Sequence, residues 1–454
     1  MALRLSRRRA YAFAFLAVSL ILAACSSGNK TLPYSPTGTP TPFVPTPTPT
    51  PTATPQNAPK SILVTAVTPC LLGTVQNGYT MPDLVPQSLA AIPVDSNGNL
   101  EIGPSAPTVT VTSASPSNLS VAPGTNSPNS FTLTGNPLAF TNNPIGLTIT
   151  ATQTVGGSAS VTVNANVTVQ QTLLAIGSSA LNAYAITTGT LCWSLPVSNS
   201  GGTVDASGNM YVATGANVSM YTPGSSKAVL TGPVSGTITS IATDNNANVY
   251  IGSPGLVYKY TLGAQLPTLT IVPPFQSAVT QLVLDPNSNL YVSNGFPTTG
   301  NSIAVYAPNA TVPTYTILGN LQVMGLLTDS ASNLYELDGN SWRVNVYPAG
   351  STVPTLMTNA LSNQPYALAL DKTKKLYVGA ANSMYVYAPG GVAPTAIFGT
   401  NFILQKGIAV DQNGLMYVLD ASGTISVYPA SGSGTVLYQV GGTGLQGGSL
   451  WIRP

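Results

Sequence analysis

The sequence predicts an all-β protein, and three observations carry that reading. Six copies of one phrase recur in the second half, short stretches of the first half alternate apolar and polar residues, and no stretch sustains a helical period. In each copy at least one of the two residues before an Asp is apolar, and a Tyr stands six residues after it. Asp205 leads to Tyr211, Asp244 to Tyr250, Asp285 to Tyr291, Asp329 to Tyr335, Asp371 to Tyr377, and Asp411 to Tyr417. The copies step by 39, 41, 44, 42 and 40 residues. A repeat of about 40 residues, each containing a strand, a turn and a strand, is the signature of a β-propeller with one four-stranded blade per copy.

Each blade can be read in order. Leu282-Val283-Leu284 reads as a first strand, Asp285-Pro286-Asn287-Ser288-Asn289 as a turn, and Leu290-Tyr291-Val292 as the start of the second strand. The Asp can accept hydrogen bonds from backbone NH groups two residues on, and Asn and Gly in such turns tolerate positive φ. A second Tyr marks the third strand of every copy: Tyr221, Tyr260, Tyr306, Tyr347, Tyr387 and Tyr428. Pro often follows it closely and ends the strand by removing a donor, as in Ala307-Pro308 and Ala388-Pro389. A fourth strand such as Thr314-Tyr315-Thr316-Ile317-Leu318 completes the unit.

Two fragments remain. Residues 173–197 lack a first strand, and Gly448-Ser449-Leu450-Trp451-Ile452 is a strand without a blade. Joined, they make a seventh blade and close the ring by strand exchange between the chain ends, which removes free sheet edges. The expectation is a seven-bladed β-propeller over residues 171–454. The repeated phrase resembles the NHL-repeat and SMP-30/gluconolactonase-like propellers, whose repeats run apolar-x-x-Asp-x-x-Gly-Asn-apolar-Tyr-Val. That resemblance covers about 280 residues and implies the fold; propellers host unrelated functions.

The N-terminal part divides into three. Arg4, Arg7, Arg8 and Arg9 precede an apolar run from Ala10 to Ala24, too short to span a bilayer and flanked like an export signal. It ends in Leu22-Ala23-Ala24-Cys25, which resembles the lipobox of bacterial lipoproteins. The resemblance implies a signal peptide over 1–24, acylation of Cys25, and a lipid anchor in the membrane. Ser26, which is not Asp, implies the outer membrane or cell surface of a two-membrane envelope. Residues 25–58 are dominated by Pro and Thr and read as an extended tether. At about 3.1 Å per residue, such a stretch reaches on the order of 90 Å. Residues 59–170 carry period-two strands such as Thr108-Val109-Thr110-Val111-Thr112. Thr112-Ser113-Ala114-Ser115-Pro116-Ser117-Asn118, and Gly146 to Ala151 with Ser158 to Val169, resemble the bacterial Ig-like group 2 family. The resemblance implies an Ig-like β-sandwich, a module that mostly serves as a spacer or stalk.

Composition excludes several functions. Charged residues are 6% of the chain, against about 25% in ordinary soluble domains. Four of the fourteen Lys and Arg lie in the leader, which leaves ten against twelve Asp and Glu, a net charge of −2. No basic patch remains for nucleic acid. There is no His, which excludes His-dependent triads and His ligands for zinc, copper or haem. With no side chain of unperturbed pKa between about 5 and 8, stability is expected to be nearly flat across that window.

The remaining candidates are few. Of nine carboxylates in the repeat region, six are the turn Asp residues, expected to cap turns away from the ligand face. Asp338 and Asp420 stand three residues after the repeat Tyr, in the loop between second and third strands; Asn294 holds the equivalent place in its own copy. Together they form a possible oxygen-rich Ca²⁺ site, and the alternative is that each starts its loop through local backbone bonds. SMP-30-like lactonases use a Glu/Asn/Asp metal set, which this chain does not reproduce at recognisable spacing. Trp342 and Arg343 follow Asp338 and suit either a ligand or packing between blades. Cys70 and Cys192 can form a disulfide joining sandwich to propeller, or stay as separate buried thiols. Three functions follow: a monomeric binding or scaffold lipoprotein meeting glycan, peptide or envelope protein; a metal-dependent lactonase-like hydrolase; or an envelope component without a specific ligand. The first is the leading expectation, with no cofactor.

Overall fold

The computed structural model describes residues 58–452 apart from 126, 137–143, 154–156, 199–200, 231–233, 276–278, 295–300, 320–321, 400–406, 442–443 and 447. The expected leader, Cys25 and nearly all of the Pro/Thr-rich tether lie outside the described residues. Among the described residues every regular element is a β-strand.

The first two sheets stack as a sandwich. One orders its strands Ser61–Ala66, Gln87–Val94, Ser130–Gly135, Leu119–Pro123. The other runs Leu72–Thr74, Gly78–Pro82, Ala159–Gln170, Ile145–Gln153, Thr108–Ser113. Successive side chains point to opposite faces of a strand, so Gln87, Leu89, Ala91 and Pro93 turn inward while their neighbours face out. Leu89, Leu119 and Leu133 of one sheet and Leu147, Ile149 and Val167 of the other are buried in one core. Full burial of each such side chain contributes about 1.5–3 kcal/mol.

Seven four-stranded antiparallel sheets follow among the described residues. Sheet 1 orders Gly202–Val204, Met210–Thr214, Asn217–Tyr221 and Ala228–Leu230 as consecutive neighbours. Sheets 2 to 6 repeat that meander over 240–271, 279–318, 323–357, 365–399 and 407–441. Sheet 7 is built differently. It takes Leu191–Pro196, Ala180–Ala185 and Thr172–Ile176 from the start of the region and Ser449–Ile452 from its end. The last pair is antiparallel, with Leu173 opposite Ile452 and Ile176 opposite Ser449.

The first strands of sheets 1 to 6 contact one another in order. Ser449–Ile452 touches both Gly407–Val410 and Gly202–Val204, which closes the ring. This is the arrangement of a β-propeller. Apolar clusters between neighbouring sheets hold it: Leu337, Val344 and Val346 of sheet 4 pack against Val378, Tyr385 and Tyr387 of sheet 5.

The Asp turn has one geometry in all six copies. In sheet 1, Asp205 Oδ1 accepts from the NH groups of Ser207 and Asn209, both at 2.9 Å. The residue three after the Asp has positive φ in every copy: Gly208, Ala247, Ser288, Ser332, Lys374 and Gly414. Only two of these are glycine, so the side-chain cap holds the other four in a conformation that L-residues resist by roughly 1–2 kcal/mol. The same turn recurs inside the sandwich, where Asp95 caps Asn97 and Asn99 and Gly98 is left-handed.

Sandwich and ring are joined tightly. Only Gln171 separates strand Ala159–Gln170 from Thr172–Ile176. Leu84 and Val85, from a sandwich loop, sit in one apolar cluster with Leu174, Leu181, Val204 and Met210 of the ring. The Thr172 hydroxyl reaches both the Asp83 backbone carbonyl O and its Oδ1, each at 2.6 Å. Cys70 and Cys192 form a disulfide, with Cα atoms 5.5 Å apart across 122 residues of sequence.

Candidate functional site

The ring has two unlike ends. Asp turns connect first to second strands, so they gather at one end, here called the turn end. The sandwich docks there. A Cβ at Gly208, in the first Asp turn, would lie 2.5 Å from Leu84 Cδ1, and one at Gly224 would lie 2.7 Å from Pro86 Cδ. The opposite end carries the loops between second and third strands and the starts of the first strands; it is the loop end.

At the loop end a cavity of about 220 Å³ opens over the first strands of sheets 1 to 3, lined by Gly202, Thr239, Ser240, Ile241, Thr280 and Gln281 among others. Its walls follow from local irregularity. The first strand of sheet 3 has a bulge between Val279 and Gln281, a feature that re-aims side chains. The Gln281 NH is taken by Ser293 Oγ at 3.0 Å, and the Leu282 NH by Ser240 Oγ of the next sheet at 2.9 Å. Gly202 gives the chain room, since a Cβ there would meet the Tyr211 carbonyl O at 2.3 Å. Among the described residues no ionisable side chain lines the cavity. Its chemistry is that of hydroxyls, amides and backbone groups, suited to neutral polar ligands and lacking a built-in acid or base.

The sequence-predicted residues sit at this end, dispersed. Asn294 is on sheet 3 and its Oδ1 accepts from the Ser302 NH at 2.6 Å. Asp338 ends the second strand of sheet 4; its Oδ1 accepts from the NH groups of Gln322 and Asn340, both at 3.0 Å, and its Oδ2 from Ser341. Asp420 belongs to sheet 6. It builds the same turn as the repeat Asp residues, accepting from the Ser422 NH at 2.9 Å and the Thr424 NH at 3.0 Å, with left-handed Gly423 in its usual place. Each of the three therefore shapes its own loop through local bonds, on three different sheets. No group of three or more His, Cys, Asp or Glu able to hold a metal occurs among the described residues.

Trp342 and Arg343 complete the Asp338 loop. Trp342 is 37% exposed and has φ of 52°, a backbone state that is an outlier for a bulky residue. Arg343 lies opposite Asp338 in the strand register, and its Nε is buried without a partner.

One carboxyl was not singled out from the sequence. Glu336 is 0% exposed, inside the second strand of sheet 4. At its place the other copies carry Val212, Ile251, Val292, Val378 and Val418. The Asn345 amide donates to its Oε2 at 2.7 Å, while Oε1 has no partner. Burial pushes its pKa up to about 8; the Asn345 bond partly opposes this and the Asp338 charge adds to it. A carboxyl held protonated this far up makes stability depend on pH between 5 and 8, where unperturbed values alone imply a flat response.

No family model matches this chain, and no curated protein matches it. Solved structures similar to it include three. The mitotic checkpoint complex matches at TM-score 0.48 and 15% identity over 54% of this chain and 77% of that one. The WD40 β-propeller domain of Doa1 matches at 0.44 and 10%, over 52% and 79%. The β-propeller domain of Cps50 (Swd1) from Myceliophteria thermophila matches at 0.46 and 12%, over 54% and 87%. Likeness at this level carries no functional inference, and the propeller arrangement stands on the sheet order and ring contacts described above.

Proposed function

We propose that this chain is a non-catalytic binding or scaffold module that meets its partner at the loop end of the ring. The observation that carries the reading is the asymmetry of the ends: the sandwich docks on the turn end at sheets 7 and 1, and the loop end presents an uncharged, hydrogen-bonding cavity. A glycan or a peptide backbone has the matching chemistry. Trp342, exposed on the same end in sheet 4 with a left-handed backbone, is an apolar contact available to a partner that spans that end.

In this reading the seven sheets are the seven blades of an NHL/SMP-30-like propeller and the preceding sandwich is an Ig-like spacer. Cys25 carries the lipid, and the Pro/Thr-rich tether holds the head away from an envelope membrane, at the outer membrane or cell surface. Metabolic labelling with a fatty-acid analogue tests the anchor: incorporation lost in Cys25→Ser supports it, and an unlabelled wild-type chain refutes it. The binding role is tested by screening the purified chain against a glycan array and envelope extracts, with Trp342→Ala beside it. Selective capture that weakens in the variant supports the reading; no capture by the folded chain favours a purely structural envelope component. The hydrolase reading has less behind it, because Asp338, Asp420 and Asn294 are each bonded within their own loops.

A further inference from the structure

The Asp turn inside the sandwich repeats the ring's turn in register and departs from it in one residue. The Asp95 NH donates to the Asn99 carbonyl O at 3.0 Å, as the Asp205 NH does to that of Asn209 at 3.0 Å. Val94 lies opposite Leu100, as Val204 lies opposite Met210. The Glu101 NH then donates to the Pro93 carbonyl O at 2.8 Å, which sets Glu101 across from Pro93 as Tyr211 is across from Thr203. Glu101 thus holds the place, six after the Asp, that is Tyr in all six ring copies. In the ring that Tyr reaches back to the turn. The Tyr211 hydroxyl donates to Asp205 Oδ2 at 3.0 Å, and the Tyr377 hydroxyl to Asp371 Oδ2 at 3.2 Å. The sandwich puts a second carboxyl where the ring puts a hydroxyl donor.

That carboxyl is out of water. Glu101 is 3% exposed, and both of its oxygens are buried without a hydrogen-bond partner. Among the described residues no ion pair reaches it. Buried charges in proteins are paired or coordinate metals, and two carboxyls sharing one site do not both ionise unaided. Burial, and then the nearby Asp95 charge, raise the Glu101 pKa. Ser96 to Leu100 and Ile102 to Pro104, the residues around the pair, are exposed, so the pair lies just under the surface.

A Glu carboxyl ends roughly 2 Å nearer its backbone than a phenol oxygen does. A proton joins two carboxyls only when their oxygens approach to about 2.5–2.7 Å. A Ca²⁺ ion, at about 2.3–2.6 Å from each oxygen, spans carboxyls that do not touch. We propose that Asp95 and Glu101 hold Ca²⁺ between them, Glu101 through both oxygens and Asp95 through Oδ2, with water and backbone carbonyl oxygens filling the remaining places. Asp95 keeps its cap in doing so. Its Oδ1 accepts from the NH groups of Asn97 and Asn99, both at 2.8 Å. Its Oδ2 accepts from the Asn99 amide at 3.1 Å and has a further lone pair for the ion. The site is independent of the loop end and does not rest on the function proposed for it.

The test is calorimetric titration of the chelator-treated full chain with calcium chloride. One ion should bind per chain with a Kd of about 0.1–1 mM. Glu101→Gln keeps the shape of the side chain and removes its charge; it should weaken Ca²⁺ binding by about tenfold or more. Glu101→Tyr installs the ring's own residue, whose hydroxyl can donate to Asp95. It should melt at the same temperature with and without about 10 mM Ca²⁺, where wild type gains about 2 °C or more. Absence of binding by wild type up to about 10 mM Ca²⁺, or wild-type affinity retained in either folded variant, overturns the proposal.

Discussion

The two ends of the ring are built from the same residue types and behave differently. At the turn end, six Asp residues make one repeated bond pattern, and the sandwich packs on it through Leu84, Val85 and a disulfide. At the loop end, Asn294, Asp338 and Asp420 each make a different set of local bonds, and the inner strands of sheets 3 to 5 carry bulges. The turn end is periodic because it must let neighbouring sheets pack alike. The loop end is free of that demand, and it is where the uncharged cavity over sheets 1 to 3 and the exposed Trp342 are found. A departure from the repeat is thus more informative than a conserved-looking residue type; Asp420 resembled a ligand and proved a turn former.

The largest break of this comparison is removal of residues 448–454. The deletion takes away the inner strand of sheet 7 and exposes the edges of both chain ends. The expected loss is on the order of the whole folding free energy, about 5–15 kcal/mol, seen as loss of the cooperative thermal transition; unchanged melting would refute the ring closure. Next is the junction. Replacing Cys70 and Cys192 together by Ser frees a loop of 122 residues. By chain entropy this costs about 4–5 kcal/mol in denaturant unfolding of the non-reduced chain, and a loss below about 1 kcal/mol would show that the shared core alone fixes the sandwich.

Glu336 sharpens the comparison from inside sheet 4. Its folded pKa is raised to about 8, above the usual carboxylate value near 4.3 that the unfolded chain has. Between those values the folded state holds a proton that the unfolded state has released. Stability should therefore fall as pH rises through this window, by about 1.4 kcal/mol per unit, and level off above about pH 8. Glu336→Val installs the residue type of the other copies and should abolish the slope. Urea unfolding of both chains at pH 5, 6, 7 and 8 measures it; parallel flat profiles would remove Glu336 as the titrating group. The smallest effect belongs to the turns. Ala247→Gly relieves a left-handed alanine and should stabilise by about 0.5–1 kcal/mol. Gly208→Ala should destabilise by about 1–3 kcal/mol, because φ is 85° and the new methyl meets Leu84. Equal and small shifts in melting for the two would mean that the turns are not equivalent.

Much of this was legible in the sequence. The Asp-to-Tyr spacing gives strand, turn and strand because a turn Asp and a buried Tyr each have a strong local reason to be there. The orphan segment Ser449–Ile452 could be matched to 173–197 because each lacked what the other had. The pairing of Cys70 with Cys192 stayed open, since spacing says nothing of Cβ approach. Leu84 was not readable as a wedge between domains, because its left-handed backbone (φ 63°) has no mark in a leucine. Glu336 does have a mark, the Val or Ile of the five other copies, but it stands inside a strand, away from the loops in which ligand-binding residues are expected. Asp420 also had one: Gly423, three residues on, repeats the Asp205–Gly208 spacing of the first turn.

That the loop end binds and the turn end supports is tested most directly by one measurement on two plugged chains. Thr239→Trp fills the loop-end cavity, and Asn245→Trp adds the same bulk to an exposed turn-end position. Binding of the best ligand from the glycan and envelope screen should fall about tenfold or more with Thr239→Trp and change by less than about twofold with Asn245→Trp. Equal loss in both, or loss with Asn245→Trp alone, would contradict the account.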